Sequence, residues 1–217
     1  MEEMELSLRE ELFPHWVVYA LLFTITMLSV LKFQKEMVFS QMSSTFFKAP
    51  SSLPNARENL SFLGLGNWVL LLNYFVVSGI AAFMLLSYLE INEYWLIALP
   101  SLIYLFQLSS LFFVGSLSGE FKYVKDNILL LNFTAHISGI ALIPILFIWI
   151  LNPQLSEYML VSLASVLTLF YFIRLVRGFL LAIRNKALWY YIILYLCGLE
   201  IWPIVVGYLL VSPVFIG

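Results

Sequence analysis

Six stretches of this chain run for about twenty residues or more with almost no charge: 14–33, 67–89, 94–115, 127–151, 156–179 and 188–211. A hydrocarbon core of roughly 30 Å is crossed by about 20 residues of helix. Inside lipid each backbone N–H and C=O must be bonded within the protein, which leaves helices and closed barrels. Barrel strands alternate apolar with polar residues, and these runs are continuous. The expected fold class is therefore all-α, a polytopic membrane helix bundle with six transmembrane helices in one transmembrane domain over 1–217. Charged residues make up only 11% of the chain against about a quarter in a soluble domain. Water cannot be the solvent for so much apolar surface, so the bilayer is the first expected partner.

Lys and Arg set the orientation. Arg9 precedes the first span; Lys32, Lys35, Lys48 and Arg57 follow it; Lys122 and Lys125 follow the third; Arg174, Arg177, Arg184 and Lys186 cluster around the end of the fifth. Ten of the 11 thus fall on one side, which the positive-inside rule makes cytoplasmic. Both termini are then expected on the non-cytoplasmic side. Trp16, Tyr88, Tyr94, Trp95, Trp149 and Tyr158 are expected at the outer interface, and Trp68, Trp189, Tyr190 and Tyr191 at the inner one.

The one long connection, 34–66, lies on the cytoplasmic side. Val38, Met42 and Phe46 recur in it at helical spacing before the breaker Ala49-Pro-Ser-Ser-Leu-Pro-Asn55. An amphipathic surface helix is expected there. The first eleven residues hold five Glu and one Arg, unlike a signal peptide. The weak net charge of −2 argues against nucleic acid. Cys197 is the only cysteine, so an intrachain disulfide is excluded. No repeat relates the two halves.

Polar residues inside apolar spans mark the candidate intramembrane site. Glu200 lies 11 residues past Trp189, about 16 Å in, near the middle of the bilayer. A carboxylate there is costly and is a functional hypothesis by default. Asn73, Gln107, Asn132, His136, Arg174 and Arg177 all fall between the midplane and the cytoplasmic face. Asn132 and His136 share one face of their helix, as do Arg174 and Arg177. His136 is the first expected partner of Glu200 and Arg174 the second. Each also has a plainer reading: His136, Gln107 and Asn73 as interhelical hydrogen-bonders, the two arginines as snorkelling anchors. One His and one Glu make no metal site, and no cofactor is expected. Pro144 and Pro203 each leave a carbonyl one turn back without its donor and are expected to kink their helices. Gly79, Ser138 and Gly139 allow close helix approach.

The segment Tyr191-Ile-Ile-Leu-Tyr-Leu-Cys-Gly-Leu-Glu-Ile-Trp-Pro203 resembles the C-terminal signature, of the form YLCxLEIxP, of a Bacteroidota-type family of bacterial inner-membrane proteins of unknown function. Ten positions match, from Tyr191 through Glu200 and Ile201 to Pro203. Trp202 is bulkier than the aliphatic residue expected there. The resemblance implies a six-span protein of the bacterial inner membrane and carries no activity.

These features point first to a non-enzymatic accessory or assembly subunit of a cell-envelope complex, with a membrane-protein partner. The alternative is a small proton-coupled transporter that titrates Glu200 against His136 or Arg174. A weaker reading is an intramembrane enzyme that grips a lipid-linked phosphate with Arg174, Arg177 and Arg184.

Overall fold

The structure is a computed structural model that describes residues 13–34, 64–91, 93–118 and 121–184. Among these residues the chain is all-helical. Five helices follow in order: α1 (His15–Gln34), α2 (Leu65–Tyr88), α3 (Leu99–Ser118), α4 (Phe121–Leu151) and α5 (Ser156–Arg184). Single 3₁₀ turns at Tyr94–Ala98 and Pro153–Leu155 lead into α3 and α5. Each of the five spans is long and apolar enough to cross a membrane. The sixth span expected at 188–211, with Glu200 and Pro203, and the surface helix expected in the long connection lie outside the described residues.

α4 begins at Phe121 and α5 runs on to Arg184, so both pass beyond the apolar stretches that announce them. Helical hydrogen bonding has no reason to stop where hydrocarbon stops. α4 contains Pro144, whose missing N–H leaves the Ile140 carbonyl without its usual donor. α2 ends without glycine. Ile91 N–H bonds the Leu86 carbonyl at 2.9 Å and Glu90 N–H bonds Ser87 at 3.3 Å, the pattern of a left-handed C-terminal cap. Glu90 adopts φ 57° to make it.

Trp149, at the end of α4, orders the bundle. Its ring meets Phe13, just before α1, at 6.1 Å and Tyr88, at the end of α2, at 6.2 Å. Leu31, Leu70 and Phe133 pack together at the opposite end. α1 therefore runs antiparallel to α2 and α4, which are parallel to each other. α4 touches all four other helices. Trp149 itself is fully buried, and its indole N–H bonds Ser156 Oγ at 3.1 Å. It is a core residue and not the interfacial anchor that its sequence position suggested; Trp16, Tyr94, Trp95 and Tyr158 remain exposed there.

The interior divides along the bundle. Around Trp149 it is aliphatic, built from Val17, Leu21, Val77, Met84, Leu142 and Leu146. Further toward the start of α4 it holds buried Asn73, Gln107, Asn132, His136 and Arg174. α2 and α4 approach closely between these zones. A Cβ on Gly139 would stand 3.0 Å from Tyr74 Cα, so only glycine lets the two backbones meet there. Gly79, read from sequence as an equivalent, has only an ordinary contact with Ile97 at 3.7 Å. The outward surfaces of α1, α3 and α5 carry large apolar side chains such as Phe33, Phe113 and Phe172, as lipid-facing surfaces should.

Candidate functional site

Between α2, α3, α4 and α5 lies a cavity of about 570 Å³. α3 contributes Tyr104 and Gln107, one turn apart on one face; α4 contributes Leu131, Thr134, Ala135 and Ser138; α5 contributes Leu167, Thr168, Phe170, Tyr171 and Arg174. Tyr74 of α2 closes the side. The wall is mainly apolar and aromatic. Tyr74 and Tyr104 stack tilted at 5.9 Å, and Phe75 backs Tyr104 edge-on at 5.3 Å.

The polar groups of this wall are mutually oriented. Arg174 is only 6% exposed, and its Nη1 donates to Gln107 Oε1 at 2.8 Å. A guanidinium has donors and no acceptor, so the carbonyl end of Gln107 must face it. Tyr104 Oη donates to Asn132 Oδ1 in a short hydrogen bond that locks α3 onto α4. The hydroxyls of Thr134 and Ser138 donate back to carbonyls of their own helix, Leu130 and Ala135. The wall thus combines the Arg174–Gln107 pair with the side chains of Thr168, Tyr171 and Tyr74 on a mainly apolar surface.

A second cavity of about 270 Å³ adjoins the first and shares Tyr74 and Leu167 with it. Ala81, Ala82, Leu85, Leu96, Leu142 and Leu163 make its wall almost wholly apolar. It extends toward the aliphatic end of the bundle.

The residues singled out from sequence separate into groups. Gln107 and Arg174 stand on the cavity, and Asn132 is tied to it through Tyr104. Arg174 turns to Gln107 instead of reaching for a membrane boundary as a snorkelling anchor would. Arg177, one turn on, is half-buried and away from the cavity wall. Asn73 and His136 lie at the α2–α4 seam. Asn73 Nδ2 is 3.1 Å from where a Gly139 Cβ would be, and His136 is one turn before Gly139. Both are essentially fully buried, and neither side chain has a hydrogen-bond partner among the described residues. Glu200 lies outside the described residues, so neither of its expected pairings is part of this geometry. Tyr104, Tyr74 and Tyr171 were not singled out from sequence. A signal for Tyr104 is present there: it lies three residues before Gln107, on the same helical face.

No curated protein and no solved structure matches the chain. The profile of a family described as Domain of unknown function, DUF4271, matches residues 17–211, which takes in all of the five described helices but the first two residues of α1. The chain belongs to the DUF4271 family.

Proposed function

We propose that this is a multi-pass protein of the bacterial inner membrane with six spans and both termini outside, and that it works as a non-enzymatic carrier binding a small anionic solute in the cavity beside Arg174. One observation carries this reading: a buried guanidinium, oriented by Gln107, on the wall of a cavity of about 570 Å³. That size is typical of small-molecule sites. A permanent charge among apolar helices is expensive and is retained where a charged partner must be met. Glu200, from the family-like C-terminal signature, is in this reading the titrating acid that neutralises Arg174 in the resting protein. Its protonation would release the guanidinium to the solute and couple the two movements.

The test is thermal unfolding of the full chain in nanodiscs against acetate, phosphate, glycerol and choline. Stabilisation by an anion that disappears in Arg174→Gln supports the reading. Stabilisation by none of the four, or by choline alone, overturns it.

The accessory-subunit reading stands second and rests on the connections. Only Asn152 separates α4 from the turn leading into α5, and α3 and α4 are joined by residues 119–120. So little surface leaves the bilayer there that a partner would meet this chain within the membrane. A stoichiometric membrane protein retained in a mild-detergent pull-down would favour it.

A further inference from the structure

We infer that the smaller cavity is a binding site for one hydrocarbon chain of a membrane lipid, which enters from the bilayer through the cleft between α3 and α5 and lies along α2. The inference is independent of the anion reading above and concerns the other of the two cavities.

The chemistry of the occupant follows from the wall. Among the described residues the lining of this cavity of about 270 Å³ carries no charge, and Tyr74 and Ser78 are its only side chains with a polar atom. The Ser78 hydroxyl donates to the Phe75 carbonyl of its own helix at 3.3 Å. A buried water needs about two to four polar partners, and apolar cavities without them stay dry. A sugar, an amino acid or an ion would leave its own polar groups unbonded there. What remains is hydrocarbon. An apolar cavity of about 150 Å³ admits one benzene, and at that ratio about 270 Å³ admits roughly ten carbon atoms.

The shape favours a chain over a ring. Along α2 the lining recurs at Ser78, Ala82, Leu85 and Leu89, one face of the helix followed for about 16 Å. A compact ring would fill part of that length and leave the rest void. The source follows from the surroundings. α3 and α5 each pack on α4 but hardly on each other. The cavity lies in the cleft between them, with Leu99 and Pro100 on one side and Leu163 and Leu167 on the other. Leu167 is 40% exposed, so the cavity wall continues into the apolar outer surface of α5. Hydrocarbon is the medium at such a surface. A chain that moves in from the bilayer is not expelled from water. The gain lies with the wall, whose atoms lack dispersion partners while the space is empty.

The experiment places the full chain in nanodiscs containing a phosphatidylcholine with a photoactivatable diazirine midway along one acyl chain, and maps the cross-links by mass spectrometry. Phe113 and Phe172 on the outer surface should be labelled in every sample. Leu85 and Leu99 on the cavity wall should be labelled as well, whereas Val77 and Met84, fully buried but off that wall, should not. Ala82→Phe fills the cavity and should remove the label from Leu85 and Leu99 while Phe113 and Phe172 keep theirs. Leu163→Phe fills it from α5 and should do the same, which covers the case that Ala82→Phe does not fold. Leu85 and Leu99 unlabelled in the unaltered protein overturn the inference, because the space is then dry or covered by another part of the chain. Label on them that survives both fillings overturns it too, since lipid would then reach them from outside the cavity. Label from a small free probe, phenyl(trifluoromethyl)diazirine, without label from the phospholipid overturns the lipid chain and leaves a site for compact apolar solutes.

Discussion

Replacing Gly139 by Ala tests the close approach of α4 to α2. The added Cβ would lie 3.0 Å from Tyr74 Cα, 3.1 Å from Asn73 Nδ2 and 3.3 Å from Tyr74 Cβ. Carbon atoms in comfortable contact sit roughly 3.5–4.0 Å apart, so α2 must retreat by about half an ångström. The nearest atom is backbone and cannot swing aside as the end of a long side chain could. Overpacking of this kind costs about 1–3 kcal/mol. Removing a glycine from a helix interior returns about 1 kcal/mol. The expected net effect is a loss of about 1 kcal/mol. Gly79→Ala is the control. Its Cβ would meet Ile97 at 3.7 Å, an ordinary contact, so it should keep the propensity gain and stabilise by up to about 1 kcal/mol. Both variants of the full chain would be unfolded by heat and by denaturant in one detergent. The informative quantity is the difference in sign between them. A Gly139→Ala protein as stable as Gly79→Ala would refute the close packing of α2 on α4.

Three further substitutions probe the buried polar groups and the cap. Tyr104→Phe strands the Asn132 carbonyl and should cost about 1–3 kcal/mol in an unfolding titration, with part of the loss recovered when Asn132→Leu is added. His136→Leu removes a buried imidazole that has no hydrogen-bond partner among the described residues, so stability should hold or rise; a clear drop would mean that the ring is bonded by a water or by another part of the chain. Glu90→Gly relieves the left-handed backbone at the end of α2 and should raise stability by about 0.5–1 kcal/mol, whereas Glu90→Ala should gain nothing comparable.

Much of the fold is legible in the order of the amino acids. Apolar runs of membrane length can satisfy their backbones in lipid only as helices or a barrel, and continuous runs exclude the barrel. Five of the expected helices accordingly appear at the expected places, with ends displaced where a helix continues past the apolar stretch. The candidate polar residues were visible for the same reason: an Arg, a His or a Gln inside a hydrocarbon-length run stands out against its neighbours. Hydropathy depends only on the local chain, so the sequence by itself determined where the five described helices lie and that each is long and apolar enough to cross a membrane.

Azimuth was not determined in that way, because it depends on which helices are neighbours. Arg174 and Arg177 look alike in sequence, yet one is buried against Gln107 and the other is half-buried away from the cavity. Gly79 and Gly139 look alike too, and only Gly139 bears a backbone contact that a methyl group would break. Trp149 had the position of an interfacial anchor and became the centre of the core, since α1 and α2 bring Phe13 and Tyr88 against it. Helix packing in lipid is governed by shape and by the few interhelical hydrogen bonds, not by expulsion of apolar surface from water. The tertiary structure alone therefore decided that Arg174 and Gln107, 67 residues apart, meet at 2.8 Å on the wall of one cavity.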